Sequence, residues 1–140
     1  MQSSLLLYNC HMNTVTIDHI AITVTDLSMS VDYYSKYFDF VEEKRFSKEG
    51  AEFVYLSSGG LRLELWQFSQ RERPQDSLTN LKIVGLRHIG FKVEDINSKR
   101  QELIDGGYEF SQVQQGSSGV YYSLGVDPDG IAIELISDSN

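Results

Sequence analysis

An internal repeat constrains this chain more than any other feature. His19-Ile20-Ala21-Ile22-Thr23-Val24-Thr25-Asp26-Leu27 and His88-Ile89-Gly90-Phe91-Lys92-Val93-Glu94-Asp95-Ile96 lie 69 residues apart. Each is a His, an apolar–polar alternation, then Asp and an aliphatic residue. A second pair, Gly60-Leu61-Arg62-Leu63-Glu64-Leu65 and Gly130-Ile131-Ala132-Ile133-Glu134-Leu135, lies 70 residues apart. Two matches in the same order at nearly one offset indicate a duplicated supersecondary unit that stacks on its copy. A length of 140 residues suits one domain, or two small units sharing a core.

Each copy reads as βαβββ. In the first, residues 15–24 alternate and are rich in β-branched side chains, which indicates a strand. Asp26 or Ser28 can cap a helix over roughly 28–38, and Leu27, Val31, Tyr34 and Phe38 fall on one helical face. Strands are expected near 40–46, 51–57 and 61–68, with Ser57-Ser58-Gly59-Gly60 turning between the last two. The second copy supplies a strand over 87–93 and an Asp95-capped helix over 96–105. Gly106-Gly107 ends that helix. Strands are expected near 108–114, 119–125 and 131–136, with Asp127-Pro128-Asp129-Gly130 as a turn. The organisation is therefore a first module over 14–68, a linker over 69–86 and a second module over 87–137. The fold class is α+β, with two βαβββ modules forming a curved mixed sheet around a cavity. Residues 1–13 read as a leader, either a loosely packed segment or residues preceding a start at Met12.

Strand parity separates the chemistry from the packing, because alternate side chains face opposite sides. Ile20, Ile22 and Val24 oppose His19, Ala21 and Thr23. Leu61, Leu63 and Leu65 oppose Arg62, Glu64 and Trp66. The second copy sets Ile89, Phe91 and Val93 against His88, Gly90 and Lys92, and Ile131, Ile133 and Leu135 against Ala132 and Glu134. His19, Glu64, His88 and Glu134 thus fall on faces turned away from the helices. A carboxylate in mid-strand is costly to bury unpaired. One such Glu is ordinarily a solvated side chain. Two of them, each with a His, at repeat-matched positions suggest a divalent metal site of two imidazoles and two carboxylates. This donor set suits one ion of Ni, Zn, Co, Mn or Fe.

Charge excludes other classes. Twenty Asp and Glu against 12 Lys and Arg give a net charge of −8. No basic run exceeds two residues, and none follows Arg100, so nucleic acid is not an expected partner. No apolar run reaches the ~20 residues of a membrane helix. The single cysteine, Cys10, rules out an intrachain disulfide and favours a reducing, cytoplasmic setting. The expected partners are a small-molecule substrate and a second copy of the chain.

The segments His19 to Leu27, Leu61-Arg62-Leu63-Glu64-Leu65, Gly85-Leu86-Arg87-His88-Ile89-Gly90-Phe91 and Asp127-Pro128-Asp129-Gly130 through Glu134 resemble the vicinal oxygen chelate superfamily. That superfamily includes glyoxalase I, methylmalonyl-CoA epimerase, extradiol dioxygenases and the fosfomycin and bleomycin resistance proteins. The resemblance covers about residues 14–137, and the order His, Glu, His, Glu is most similar to glyoxalase I-like bacterial proteins. It implies His19, Glu64, His88 and Glu134 as metal ligands, with Glu134 as the mobile catalytic base and Glu64 as its repeat-equivalent partner. It also implies a lyase or isomerase that abstracts a proton next to a carbonyl through an enediolate.

The sequence departs from glyoxalase I where that enzyme holds glutathione. Thr23 replaces its Arg four residues after the first His, and Phe68 replaces a polar residue four after the first Glu. The stretch from Gln112 to Gly119 is uncharged. The substrate expectation is therefore something other than the glutathione hemithioacetal, with Arg62, Trp66 and Lys92 as substrate-binding candidates. The alternatives are a methylmalonyl-CoA-epimerase-like enzyme or a small-molecule-binding resistance protein of the same fold. The site could be built within one chain or across a two-fold interface.

Overall fold

A computed structural model describes residues 15–140. The leader expected over 1–13 lies outside the described residues. The chain runs β1 (Ile20–Thr23), α1 (Leu27–Phe38), β2 (Val41–Lys48), β3 (Ala51–Ser58), β4 (Leu61–Phe68), β5 (His88–Lys92), α2 (Ile96–Asp105), β6 (Gln114–Gln115), β7 (Tyr121–Val126) and β8 (Ala132–Ser137). Two βαβββ modules are present, as the repeat requires. Each makes a four-stranded mixed sheet, ordered β1-β4-β3-β2 and β5-β8-β7-β6. The first strand of each module pairs parallel with the last, and the remaining contacts are antiparallel. The sheets do not close into a barrel.

The helices begin where the sequence places their caps. Asp26 accepts from the Met29 amide at 3.0 Å, and Asp95 accepts from the Ser98 amide at 2.9 Å. Each carboxylate satisfies a donor that the first helical turn leaves free. Gly106 caps α2, and Gly107 follows it at φ 91°, a left-handed conformation that lacks strain only without a Cβ.

Two expected strands are shorter than their patterns. The alternation over 15–24 yields only Ile20–Thr23, because the register with β4 begins at Ile20 opposite Leu63. The strand expected over 108–114 shrinks to Gln114–Gln115. Arg100 explains this: its guanidinium donates to the carbonyls of Ser111 at 2.6 Å and Phe110 at 3.1 Å. Those carbonyls are thereby satisfied by a side chain instead of a ladder, while Phe110 is drawn into the core.

Both modules share one core. Ile22, Val24, Leu63 and Leu65 of the first sheet and Ile89, Ile133 and Leu135 of the second belong to a single buried cluster with helix residues Tyr34, Phe38, Ile96 and Leu103. Phe38 stacks on Phe91 with ring centroids 4.2 Å apart, and Tyr33 meets Tyr108 edge-on at 4.7 Å. Each aromatic pair joins one module to the other and contributes about 0.5–1.5 kcal/mol beyond its buried area. Polar ties add direction. The Tyr34 hydroxyl donates to buried Asp127 at 2.8 Å, and the Thr25 amide donates to Asp129 at 3.0 Å. Among the described residues, no helix is long and apolar enough to cross a membrane.

Asp127 anchors the turn before β8 by accepting from the amides of Asp129 and Ile131, both at 2.9 Å. Burial, the largest effect on it, raises its pKa above the usual carboxylate value. A raised folded pKa means that the protonated state favours folding, and this contribution is lost as pH rises through the folded pKa. Tyr34→Phe removes a donor that matters most to the ionised carboxylate. The expected cost is about 1–3 kcal/mol at pH 7 and less near pH 4, measured by urea unfolding at both values.

Candidate metal centre

The shared core decides where the His and Glu residues go. Ile22, Leu63, Leu65, Ile89, Ile133 and Leu135 turn inward, so alternation carries the four candidate ligands to the sheet faces turned away from that core. On the first sheet, Glu64 of β4 stands opposite Ala21 of β1. Its Oε2 lies 3.3 Å from Nε2 of His19, the residue just before β1. On the second, Glu134 of β8 stands opposite Gly90 of β5, and its Oε2 lies 3.2 Å from His88 Nε2. Ala21 and Gly90 are the small residues that let the carboxylates lie over the strand: a Cβ on Gly90 would sit 3.5 Å from Glu134 Oε2.

The two pairs match closely in geometry. Two donors bound at about 2.1 Å to a common ion lie about 3.0 Å apart at a right angle and about 3.4 Å apart at the tetrahedral angle. Separations of 3.3 Å and 3.2 Å fall within that range. Both carboxylates are partly shielded, with side-chain exposures of 13% for Glu64 and 23% for Glu134, whereas the imidazoles reach further into solvent. Each pair supplies two ligands and no more. Among the described residues, no group of three or more His, Cys, Asp and Glu side chains is arranged to hold a metal ion. One chain therefore presents two separate His–Glu pairs, and the four candidates do not converge within it.

The surroundings of the two histidines differ. His19 Nδ1 lies 2.7 Å from the Asp18 carboxylate, and that hydrogen bond holds the Asp18 pKa below its ordinary value. A carboxylate on the far ring nitrogen fixes the tautomer that leaves Nε2 free as a donor to a metal. Arg87 occupies the position repeat-equivalent to Asp18 and turns to the Leu86 and Asn80 carbonyls. Among the described residues, His88 Nδ1 is buried without a partner. Tyr55, across the ladder from Glu64, has its pKa raised, chiefly by hydrogen bonding with that carboxylate.

The substrate-binding candidates lie in different settings. Arg62 donates to Glu43 at 3.2 Å, lies 3.5 Å from Asp18 and stacks over Tyr55, so its charge is engaged beside the first half-site. Trp66 stands on the His19–Glu64 face, stacked on Phe53 with centroids 3.9 Å apart. Lys92 pairs with Asp138 at 2.6 Å on the exposed rim of the second sheet. The sequence reading omitted Asp18, Tyr55, Phe46 and Phe53. Asp18 was legible as the residue preceding the first His, whereas the other three needed the strand register.

Comparison with known proteins agrees with this architecture. The chain belongs to the Glyoxalase/Bleomycin resistance protein/Dioxygenase superfamily, whose family model matches residues 16–135. It is 29% identical over 124 residues to the uncharacterized protein YwkD of Bacillus subtilis (strain 168), covering 86% of this chain and 94% of that one. It resembles the crystal structure of SMU.1112c with a TM-score of 0.75 at 27% identity, over 88% of this chain and 98% of that one. A glyoxalase family protein from Enterococcus faecalis gives a TM-score of 0.75 at 26% identity, over 89% and 99% of the two chains.

The Asp18 contact makes a direct prediction. Neutral His19 is expected as the Nδ1–H tautomer, and Asp18→Ala is expected to mix the two tautomers. Imidazole nitrogen-15 NMR of the labelled protein reads both.

Proposed function

We infer that the protein is a divalent-metal-dependent, glyoxalase-like lyase or isomerase that moves a proton next to a carbonyl. The observation that carries this reading is the pair of repeat-matched His–Glu half-sites with separations of 3.3 Å and 3.2 Å. His19, Glu64, His88 and Glu134 would hold one ion. A bound divalent ion would supply Lewis acidity that makes a carbon-bound proton beside a carbonyl easier to remove. Asp18 orients His19 for that role. Glu134 is the proposed base, taking the proton at Oε2 and returning it to the neighbouring carbon. Glu64 is its counterpart across the site.

The complete site is proposed to form between two copies of the chain. The two half-sites lie on outward faces of one shared core, so a second molecule is needed to bring them together. Exposed apolar residues mark the surface available for this. Val15, Ile17, Val84 and Leu86 are 85%, 80%, 101% and 75% exposed, and they occupy matched places before the two histidines. β1 and β5 are also edge strands with one unpaired side each. A two-fold dimer would set the first half-site of one copy against the second half-site of the other, giving two equivalent centres.

Metal analysis of chelator-free protein is expected to give about one divalent ion per chain. Glu64→Ala and Glu134→Ala should each lose it by at least about tenfold in affinity. Mixing the two variants separates the possible assemblies. Hybrid dimers with sites shared between chains should regain about one ion per dimer, whereas sites contained within single chains would regain none. Metal-free wild-type protein would overturn the reading.

A further inference from the structure

The first His–Glu pair sits in a closed circuit of contacts that the second pair lacks. Arg62 donates to Glu43 at 3.2 Å and lies 3.5 Å from Asp18. Asp18 lies 2.7 Å from His19 Nδ1, and His19 Nε2 lies 3.3 Å from Glu64. Tyr55 stands directly opposite Glu64 in the β3–β4 ladder, and its hydroxyl hydrogen-bonds with that carboxylate. The Arg62 guanidinium lies 5.0 Å over the Tyr55 ring, which closes the circuit. Phe46 meets the same ring edge-on at 5.1 Å, and Phe53 lies 6.0 Å from it. The Tyr55 hydroxyl is therefore delivered by a ring that is itself packed.

The repeat supplies an internal comparison. His19 and Glu64 recur as His88 and Glu134, whereas Asp18, Tyr55 and Arg62 are replaced by Arg87, Leu124 and Ala132. The ladder positions correspond, since Leu124 stands opposite Glu134 as Tyr55 stands opposite Glu64. Leucine has no proton to donate to a carboxylate. Arg87 turns to the Leu86 and Asn80 carbonyls, and Ala132 has no polar group to offer. Glu134 keeps its contact with His88 and has no counterpart of Tyr55 or Arg62. The ligand pair is thus retained in both copies, while all three supporting residues are confined to one. Half-exposed ion pairs contribute little to stability, so folding alone does not account for the circuit.

We propose that Tyr55, its ring held by Arg62, is a positioning residue that fixes Glu64 in place as a metal ligand, and that Glu134, opposite Leu124, is the carboxylate left free to change position. A hydrogen bond to a ligating carboxylate fixes its orientation, as outer partners do for metal ligands in general. Arg62 is then a support for the first pair and not a substrate-binding group. The inference rests on the proposed function and deepens it, because it assigns the difference between the two glutamates to residues outside the ligand set.

The test has a metal-free arm and a metal arm, both on the full-length protein. In chelator-treated protein labelled with carbon-13 at the tyrosine Cζ, the Tyr55 resonance is identified by its loss in Tyr55→Phe. It is expected to move in Glu64→Leu and to stay in place in Glu134→Leu. In the second arm Co2+ is the probe, read by calorimetry and by its visible absorption. Tyr55→Phe is expected to weaken Co2+ by about tenfold and to change its absorption, with an unchanged melting temperature. Arg62→Lys keeps the charge but loses the planar fork, and is expected to weaken Co2+ about 2- to 5-fold. Tyr122→Phe removes a hydroxyl that donates to Gln114 on the second sheet, and should leave Co2+ binding as it is. An unmoved Tyr55 resonance in Glu64→Leu overturns the inference alone, as does Co2+ binding and absorption unchanged in Tyr55→Phe, or weakened equally in Tyr122→Phe. Wild-type protein that takes no Co2+ overturns the proposed function and this role with it.

Discussion

The helix-side core shared by the two modules is the constraint on which the rest of the structure depends. Leu63, Leu65, Ile133 and Leu135 are fully buried in one cluster with both helices, and the Phe38–Phe91 stack crosses from one module to the other. A strand that commits one face to that core must turn the other away from it. The His19–Glu64 and His88–Glu134 pairs therefore stand on outer faces. Their failure to meet within one chain is a consequence of how the core is satisfied.

Duplication explains why both faces carry the same pair, and divergence explains why they are not equivalent. The first face has Asp18 behind its histidine, Tyr55 beside its glutamate and a row of stacked rings. The second has Arg87 in place of Asp18, a His88 Nδ1 without a partner among the described residues, and Leu124 opposite Glu134. In the proposed dimer, each centre would combine one half of each kind. One side would orient a ligand and the other would be freer to move, a division suited to a single carboxylate that gives and takes a proton. The rows of register matter as much as the residues. Tyr55 is an ordinary position in the sequence and becomes the neighbour of Glu64 only through the β3–β4 register.

Much of this was legible beforehand, for identifiable reasons. The two helices, their Asp caps and the two βαβββ modules follow from local chemistry and from a repeat that appears twice in one order. The placement of His19, Glu64, His88 and Glu134 on faces turned away from the helices followed from strand parity, whereas their meeting as His–Glu pairs needed the β1–β4 and β5–β8 registers. The shortened strand at Gln114–Gln115 was not legible, because Arg100 takes the backbone carbonyls of Phe110 and Ser111 from a distance of ten or eleven residues. Lys92 shares the parity of the half-site face but spends its charge on Asp138, which lies far away in sequence.

The sequence by itself determined the modules and the faces, because each depends on neighbours one, two or four residues away. Tertiary structure decided how those faces are directed. The buried area available to 140 residues is largest when both apolar sheet faces and both helices meet in one core, and parity alone cannot express that choice. It also decided that Phe46, Phe53, Trp66 and Thr23 form a single row, since register between strands is fixed by packing on the buried face and not by the residues that the row exposes.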